Sequence, residues 1–188
     1  ALFGIQDKHS IVVAGTHGKT TTSSLIAHTL IHAGRDPSYL VGGALHGYPN
    51  SFHYGSGDYF VVEGDEYDTA YFDKGPKFVH YRPTTAIVSS LEFDHADIFS
   101  DVEAVEAAFR QLIEMVPKDG HLVVWDGAVR ARKLIQNFGQ ALRVTLYSTK
   151  PSREANLFLT RCQTGKRGLE FEAMWHGASL GPMSAPVW

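Results

Sequence analysis

The stretch Gly15-Thr-His-Gly-Lys-Thr-Thr21 constrains this chain more than any other part of it. It follows the short β-branched run Ser10-Ile-Val-Val-Ala14 and precedes a segment with helical spacing. A strand, a glycine-containing turn and a helix in that order make a phosphate loop. Backbone N–H groups freed by the turn face inward, and the helix N-terminus adds partial positive charge. Gly15 and Gly18 let the backbone approach an anion without a Cβ in the way. Lys19 is placed to reach the outer phosphates of a nucleotide, and the Thr20 hydroxyl to take one position on Mg²⁺. The common pattern has a further glycine six positions before the lysine; here that position is Val13. The loop therefore has its own Gly-Thr-x-Gly-Lys-Thr form.

The remaining pattern predicts an α/β fold. Thr20 to about Ala33 reads as a helix with Leu25, Ile26, Leu30 and Ile31 on one face and Gly34 just past its end. Strands are expected at 58–63, 84–89, 121–125 and 143–147, and helices at 101–116, with Asp101 as a candidate cap, and 129–138, closed by Gly139. Alternating strands and helices imply a mostly parallel sheet flanked by helices. After Pro151 the texture changes. Segments 156–161, 168–175 and 178–187 read as short strands with Gly-containing turns, a small antiparallel β appendage. The 42–58 stretch, rich in Gly, Tyr, His and Ser, reads as a loop near the site.

Composition narrows the function. The 188 residues are 44% apolar and carry 17 Lys and Arg against 20 Asp and Glu, a net charge of −3. That balance excludes a general nucleic-acid or anionic-membrane binder. No apolar run approaches the ~18 residues of a membrane span, and the start has no signal-like segment. The single cysteine, Cys162, excludes an internal disulfide and reads as a packed thiol. A soluble cytoplasmic protein is the expectation.

Two further clusters carry chemistry. Glu63-Gly-Asp-Glu-Tyr-Asp68 puts four carboxylates in six residues at the C-terminal end of a strand, where open α/β sheets bind ligands. Glu63, nearest the strand, is the candidate Mg²⁺ ligand; Asp65, Glu66 and Asp68 read equally well as a solvated acidic turn. Asp94-His95 follows the third strand, and His95 could serve a second metal ion or the γ-phosphate. His28 and His32 are four apart on a helix, but Thr29 stands where a zinc-protease glutamate would be needed.

Together these motifs resemble the central ATP-binding domain of the Mur ligases, which build the peptide stem of bacterial peptidoglycan. His17 is similar to the muramate–alanine ligase branch and its recycling relative. The stretch 66–83 and Leu91-Glu-Phe-Asp-His-Ala-Asp-Ile-Phe99 resemble the peptidoglycan-recycling branch. The resemblance is firm from about Ile11 to Pro117.

It implies that Gly15, Thr16, His17, Gly18, Lys19, Thr20 and Thr21 bind ATP. It also implies that Thr20, Glu63 and His95 hold Mg²⁺, and that Lys19, Glu63 and His95 are catalytic. The implied reaction joins L-alanyl-γ-D-glutamyl-meso-diaminopimelate, the murein tripeptide, to UDP-N-acetylmuramate through an acyl phosphate. Ligation of L-alanine to UDP-N-acetylmuramate is the alternative; a P-loop nucleotide switch without ligase chemistry is a third reading. The whole chain, 1–188, would be the central domain, with a uridine-nucleotide domain before it and a peptide-binding domain after it, and the fragment alone would be inactive.

Four departures stand out. Gly64 replaces the usual alanine of the acidic turn, and Ser89 and Ser90 replace asparagines. Arg110 occupies the position of a carbamylated lysine fifteen residues after His95. The family's late His-Asn motif is not reached.

Overall fold

A computed structural model describes residues 7–43, 47–65, 68–70, 73–92, 102–138, 142–166 and 168–185. Its frame is a ten-stranded sheet. In chain order the strands are β1 (His9–Ala14), β2 (Ser38–Leu40), β3 (Phe52–His53), β4 (Tyr59–Gly64), β7 (Thr85–Val88), β8 (His121–Trp125), β9 (Arg143–Ser148), β10 (Leu157–Gly165), β11 (Gly168–Trp175) and β12 (Ala178–Ala185). β5 (Asp68–Ala70) and β6 (Asp73–Pro76) form a separate two-stranded ladder. The helices are α1 (Lys19–His32), α2 (Val102–Met115) and α3 (Val129–Gln136), with a 3₁₀ segment at Lys77–Tyr81.

The sheet order is β12-β11-β10-β9-β8-β7-β1-β4-β2-β3. From β2 through β10 the pairings β2·β4, β4·β1, β1·β7, β7·β8, β8·β9 and β9·β10 are parallel; β3, β11 and β12 join antiparallel. The mostly parallel core and the antiparallel C-terminal strands are as expected. The appendage joins the main sheet through β10, which pairs with β9 at Leu157↔Tyr147 and Phe158↔Ser148. Asn156 pins this seam. Its N–H donates to the Leu146 carbonyl, its Oδ1 accepts from the Leu146 N–H, and its carbonyl accepts from His176 N–H, each at 2.8 Å.

Strand periodicity divides the core into two layers. Val12, Ala14, Phe60, Val62, Ala86, Val88, Leu122 and Val124 face α2, α3 and Phe78. On the opposite side, Val61 and Tyr39 pack with Ala27 and the partly buried Ile26, Leu30 and Ile31 of α1. Leu25, expected on that apolar face, is 43% exposed; the buried stripe of α1 runs instead through Ser23 and Ala27. α1 ends as its glycine implies. Gly34 is left-handed at φ 69°, Gly34 N–H donates to Ile31 O and Arg35 N–H to Leu30 O, a Schellman closure.

Two further expectations need amendment. The 42–58 stretch is not wholly loop, because β3 pairs with β2 through Tyr39↔His53 and Leu40↔Phe52. Cys162 is exposed, not packed. No described helix covers the outer half of β10, where residues 160–164 all face solvent. The candidate helix boundaries at Asp101 and Gly139 lie outside the described residues. No described helix is long and apolar enough to cross a membrane.

Candidate active site

The chain runs from β1 through α1 to β2 and β4 on one side of β1, then crosses to β7 on the other. β1 is thus where the strand order reverses, and the crevice beyond its C-terminal end is the natural ligand position of such a sheet. The loop of residues 15–18 leaves β1 at that point. Gly15 and Gly18 have φ of 138° and 78°, conformations that a Cβ disfavours. Gly18 is the N-cap of α1, and no side chain caps the helix. The open N-terminal turn of a helix therefore faces the crevice, as anion binding requires. The Lys19 ammonium folds back onto the loop and donates to the Gly15 carbonyl at 2.8 Å.

β4 brings Glu63 beside this loop, because its register with β1 sets Val13 opposite Glu63 and Ala14 opposite Gly64. The Thr20 hydroxyl donates to Glu63 Oε2 at 3.1 Å, Ser23 Oγ to Oε1 at 3.3 Å, and Gly42 N–H to Oε1 at 2.6 Å. The Thr20–Glu63 pair is a fit test for Mg²⁺. Neighbouring ligands on an octahedral ion with bonds of about 2.0–2.1 Å lie about 2.9 Å apart. A hydroxyl and a carboxylate oxygen, both hard donors, already sit close to that separation. Among the described residues no group of three or more His, Cys, Asp and Glu gathers to hold a metal, and an ion here would keep water and phosphate oxygens in its other positions.

The acidic turn divides by role. Asp65 forms an ion pair with Lys77 at 3.0 Å, which ties the turn to the 3₁₀ segment. Burial, reinforced by the charges of Asp65 and Glu63, pushes the Tyr81 hydroxyl above its usual pKa. Glu66, and the side chain of Asp68, lie outside the described residues, as do Asp94 and His95.

β7 closes the other side. Ser89 N–H donates to the Ala14 carbonyl at 3.0 Å. Ser89 Oγ donates to the His17 carbonyl at 2.6 Å, and Ser90 Oγ accepts from His17 N–H at 2.9 Å. Thr16 Oγ1 accepts from Glu92 N–H at 2.9 Å and donates to the Glu92 carbonyl at 3.2 Å. The His17 ring stands exposed, 3.8 Å from the Glu92 carboxylate. Thr20 and Glu63 are thus brought together, with Lys19 one residue before Thr20 and bonded to the Gly15 carbonyl. Gly42, Ser23, Ser89 and Ser90 join the site although no motif marks them as partners of the loop. Serine preceding Leu-Glu-Phe-Asp-His was the one available signal for the last two.

A strand-turn-helix loop facing a carboxylate across a parallel-sheet switch point defines an α/β protein of the P-loop type. Residues 13–183 match the family model described as the Mur ligase middle domain, and the chain belongs to the Mur ligase family. It is 46% identical over 121 residues to UDP-N-acetylmuramate–L-alanyl-γ-D-glutamyl-meso-2,6-diaminoheptandioate ligase of Escherichia coli K12, covering 64% of this chain and 26% of that protein. It is 36% identical over 181 residues to UDP-N-acetylmuramate–L-alanine ligase of Salinispora tropica, covering 96% of this chain and 34% of that one. The crystal structure of the UDP-N-acetylmuramate:L-alanyl-γ-D-glutamyl-meso-diaminopimelate ligase from Neisseria meningitides superposes with a TM-score of 0.83 at 33% identity, covering 98% of this chain and 57% of that one. The chain spans about a quarter to a third of the length of the curated relatives it matches.

Proposed function

We propose that this chain is the ATP-binding middle domain of an ATP-dependent amide ligase. The ligase joins L-alanyl-γ-D-glutamyl-meso-diaminopimelate to UDP-N-acetylmuramate in the cytoplasmic recycling of peptidoglycan. The observation that carries the reading is the 3.1 Å approach of Thr20 Oγ1 to Glu63 Oε2 across the mouth of the loop. It joins a triphosphate cradle to a hard-oxygen cation position. The tripeptide assignment rests on the similarity to the E. coli and Neisseria ligases.

In this reading the loop amides and Lys19 hold the ATP phosphates, and Thr20 and Glu63 hold Mg²⁺. Bound there, the ion offsets phosphate charge as one anion approaches another. Lys19 exchanges its bond to the Gly15 carbonyl for a phosphate oxygen. The muramyl carboxylate attacks the γ-phosphorus, ADP leaves, and an acyl phosphate forms. The tripeptide amine then adds to the acyl carbon, phosphate departs, and an amide remains. The chain's contribution is placement and charge: in-line alignment of two bound reactants accounts for most of the rate. His95 belongs to this proposal as a second cation ligand.

The test is ADP release by the intact protein carrying this chain, with UDP-N-acetylmuramate and either tripeptide or L-alanine as acceptor. Stimulation by tripeptide supports the reading. Stimulation by L-alanine alone, the activity named for the Salinispora relative, replaces it with the muramate–alanine ligase. Release that responds to neither acceptor overturns both.

A further inference from the structure

Ser89 and Ser90 follow directly on β7, and both hydroxyls are turned onto one loop residue. Ser89 Oγ donates to the His17 carbonyl and also reaches the Ala14 carbonyl at 3.3 Å, while Ser90 Oγ takes the His17 N–H. Both peptide groups flanking His17 are therefore held from outside the loop. One residue further on, Gly18 turns left-handed and α1 begins without a side-chain cap. Ser90 is 5% exposed, so the accepting hydroxyl is buried while the His17 side of the bond lies at the surface. A Cβ at Gly15 would run into Ser89 Oγ and lie 2.9 Å from the Ser90 backbone nitrogen. Residues 89–90 and the loop are thus in backbone contact.

We infer that Ser89 and Ser90 are positioning residues for the nucleotide. They fix the His17 peptide planes so that the phosphates are received by the amides from Gly18 onward, and the His17 N–H is spent within the protein on Ser90. The inference rests on the phosphate-loop reading above and sharpens it, since that reading counts His17 among the ATP-binding residues. The physical ground is that a donor bonded to a buried hydroxyl has no second hydrogen to offer a phosphate. Breaking that bond on binding would leave the Ser90 hydroxyl in need of another partner. A preorganised cradle also avoids the ordering cost at the moment of binding.

The test follows backbone amide exchange by NMR in the full chain, with and without Mg·ADP, alongside titration of Mg·ADP affinity. In the unaltered chain, Mg·ADP is expected to slow exchange at Gly18–Thr21 and to leave His17, already protected, unchanged. Ser90→Ala is expected to expose the His17 amide to exchange at least tenfold faster and to weaken Mg·ADP by about tenfold. Ser90→Thr, which keeps the oxygen, is expected to restore both. Amides of β8 and β9 serve as the folding control, and Ser89→Ala provides a second perturbation from the carbonyl side if Ser90→Ala unfolds.

The inference is overturned if His17 becomes protected only when Mg·ADP is added. It is equally overturned if Ser90→Ala changes neither the His17 exchange nor the affinity. Failure of the unaltered chain to bind Mg·ADP at all overturns the nucleotide reading and with it the inference. That result is distinct from the two above, in which the nucleotide binds and the serines prove irrelevant.

Discussion

Gly64 offers a sharp test of the packing beneath the site. The family resemblance leads one to expect alanine there, yet a Cβ built on Gly64 lies 2.6 Å from Val12 Cγ1, 3.2 Å from Phe78 Cβ and 3.4 Å from Ala14 Cβ. Carbon atoms in comfortable contact sit about 3.5–4.0 Å apart, so Val12 would have to recede by about 1 Å. Val12 is fully buried and β-branched, with little freedom at χ1. Overpacking of this kind costs about 1–3 kcal/mol. Against it, Gly64 is absent from the glycines with positive φ, so alanine fits the backbone and recovers about 0.4–1 kcal/mol of unfolded-state entropy. The midpoints of these two ranges predict that Gly64→Ala destabilises by about 1.3 kcal/mol. With a urea slope near ~2 kcal/mol/M, the midpoint falls by about 0.6 M. In a Val12→Ala background the new methyl has room, so the same substitution becomes neutral or favourable, a coupling of about 1–2 kcal/mol. An unchanged or raised midpoint for Gly64→Ala, or strict additivity in the cycle, would refute the steric argument.

Glu63→Gln is expected to weaken Mg·ADP by tenfold or more while leaving metal-free ADP binding nearly unchanged. Glutamine removes the negative charge and one of the oxygens on which Thr20, Ser23 and Gly42 converge. Equal loss with and without Mg²⁺ would assign Glu63 to loop architecture alone. Acid should destabilise the sheet where β1 and β8 begin. Burial lowers the pKa of both His9 and His121, with Arg143 and then His9 adding to the effect on His121; the rings bond Thr85 and Thr145. A depressed folded-state value means the unfolded chain binds protons first, so stability is full above about pH 6.5 and declines as pH falls below it. Urea midpoints between pH 7.5 and 5.5 should fall for the native chain and fall less for a His9→Gln, His121→Gln double variant; parallel curves would refute this.

The sequence made the central architecture readable because its signals are local. β1, β4, β7 and β8 carry apolar β-branched runs, β9 carries Val144, Leu146 and Tyr147, and Gly34 ends α1 where the spacing says it should. β2 and β3 escaped because they are only three and two residues long, and their pairing is set by β4 and the sheet edge rather than by their own pattern. Cys162 was misread because residue type alone favours burial, whereas exposure at β10 follows from the lack of any described helix over that lobe. At the site, Lys19, Thr20 and Glu63 could be recognised by type and spacing. Gly42 and Ser23 could not, and Ser89 and Ser90 stood out only by their place before Leu-Glu-Phe-Asp-His, since the contacts of all four with Glu63 and the loop depend on how distant segments dock.

The bonds that shape the loop join residues 14–17 to residues 89–92, a separation of 72 to 76 positions. The loop proposed to cradle ATP therefore takes its shape late in folding. Until β7 has docked on β1, the residues 15–21 are merely a string of the right amino acids. Contacts spanning such loops form slowly and after local ones. During synthesis, nucleotide affinity should appear only once the ribosome has released the chain past about residue 92, in a single step rather than by degrees.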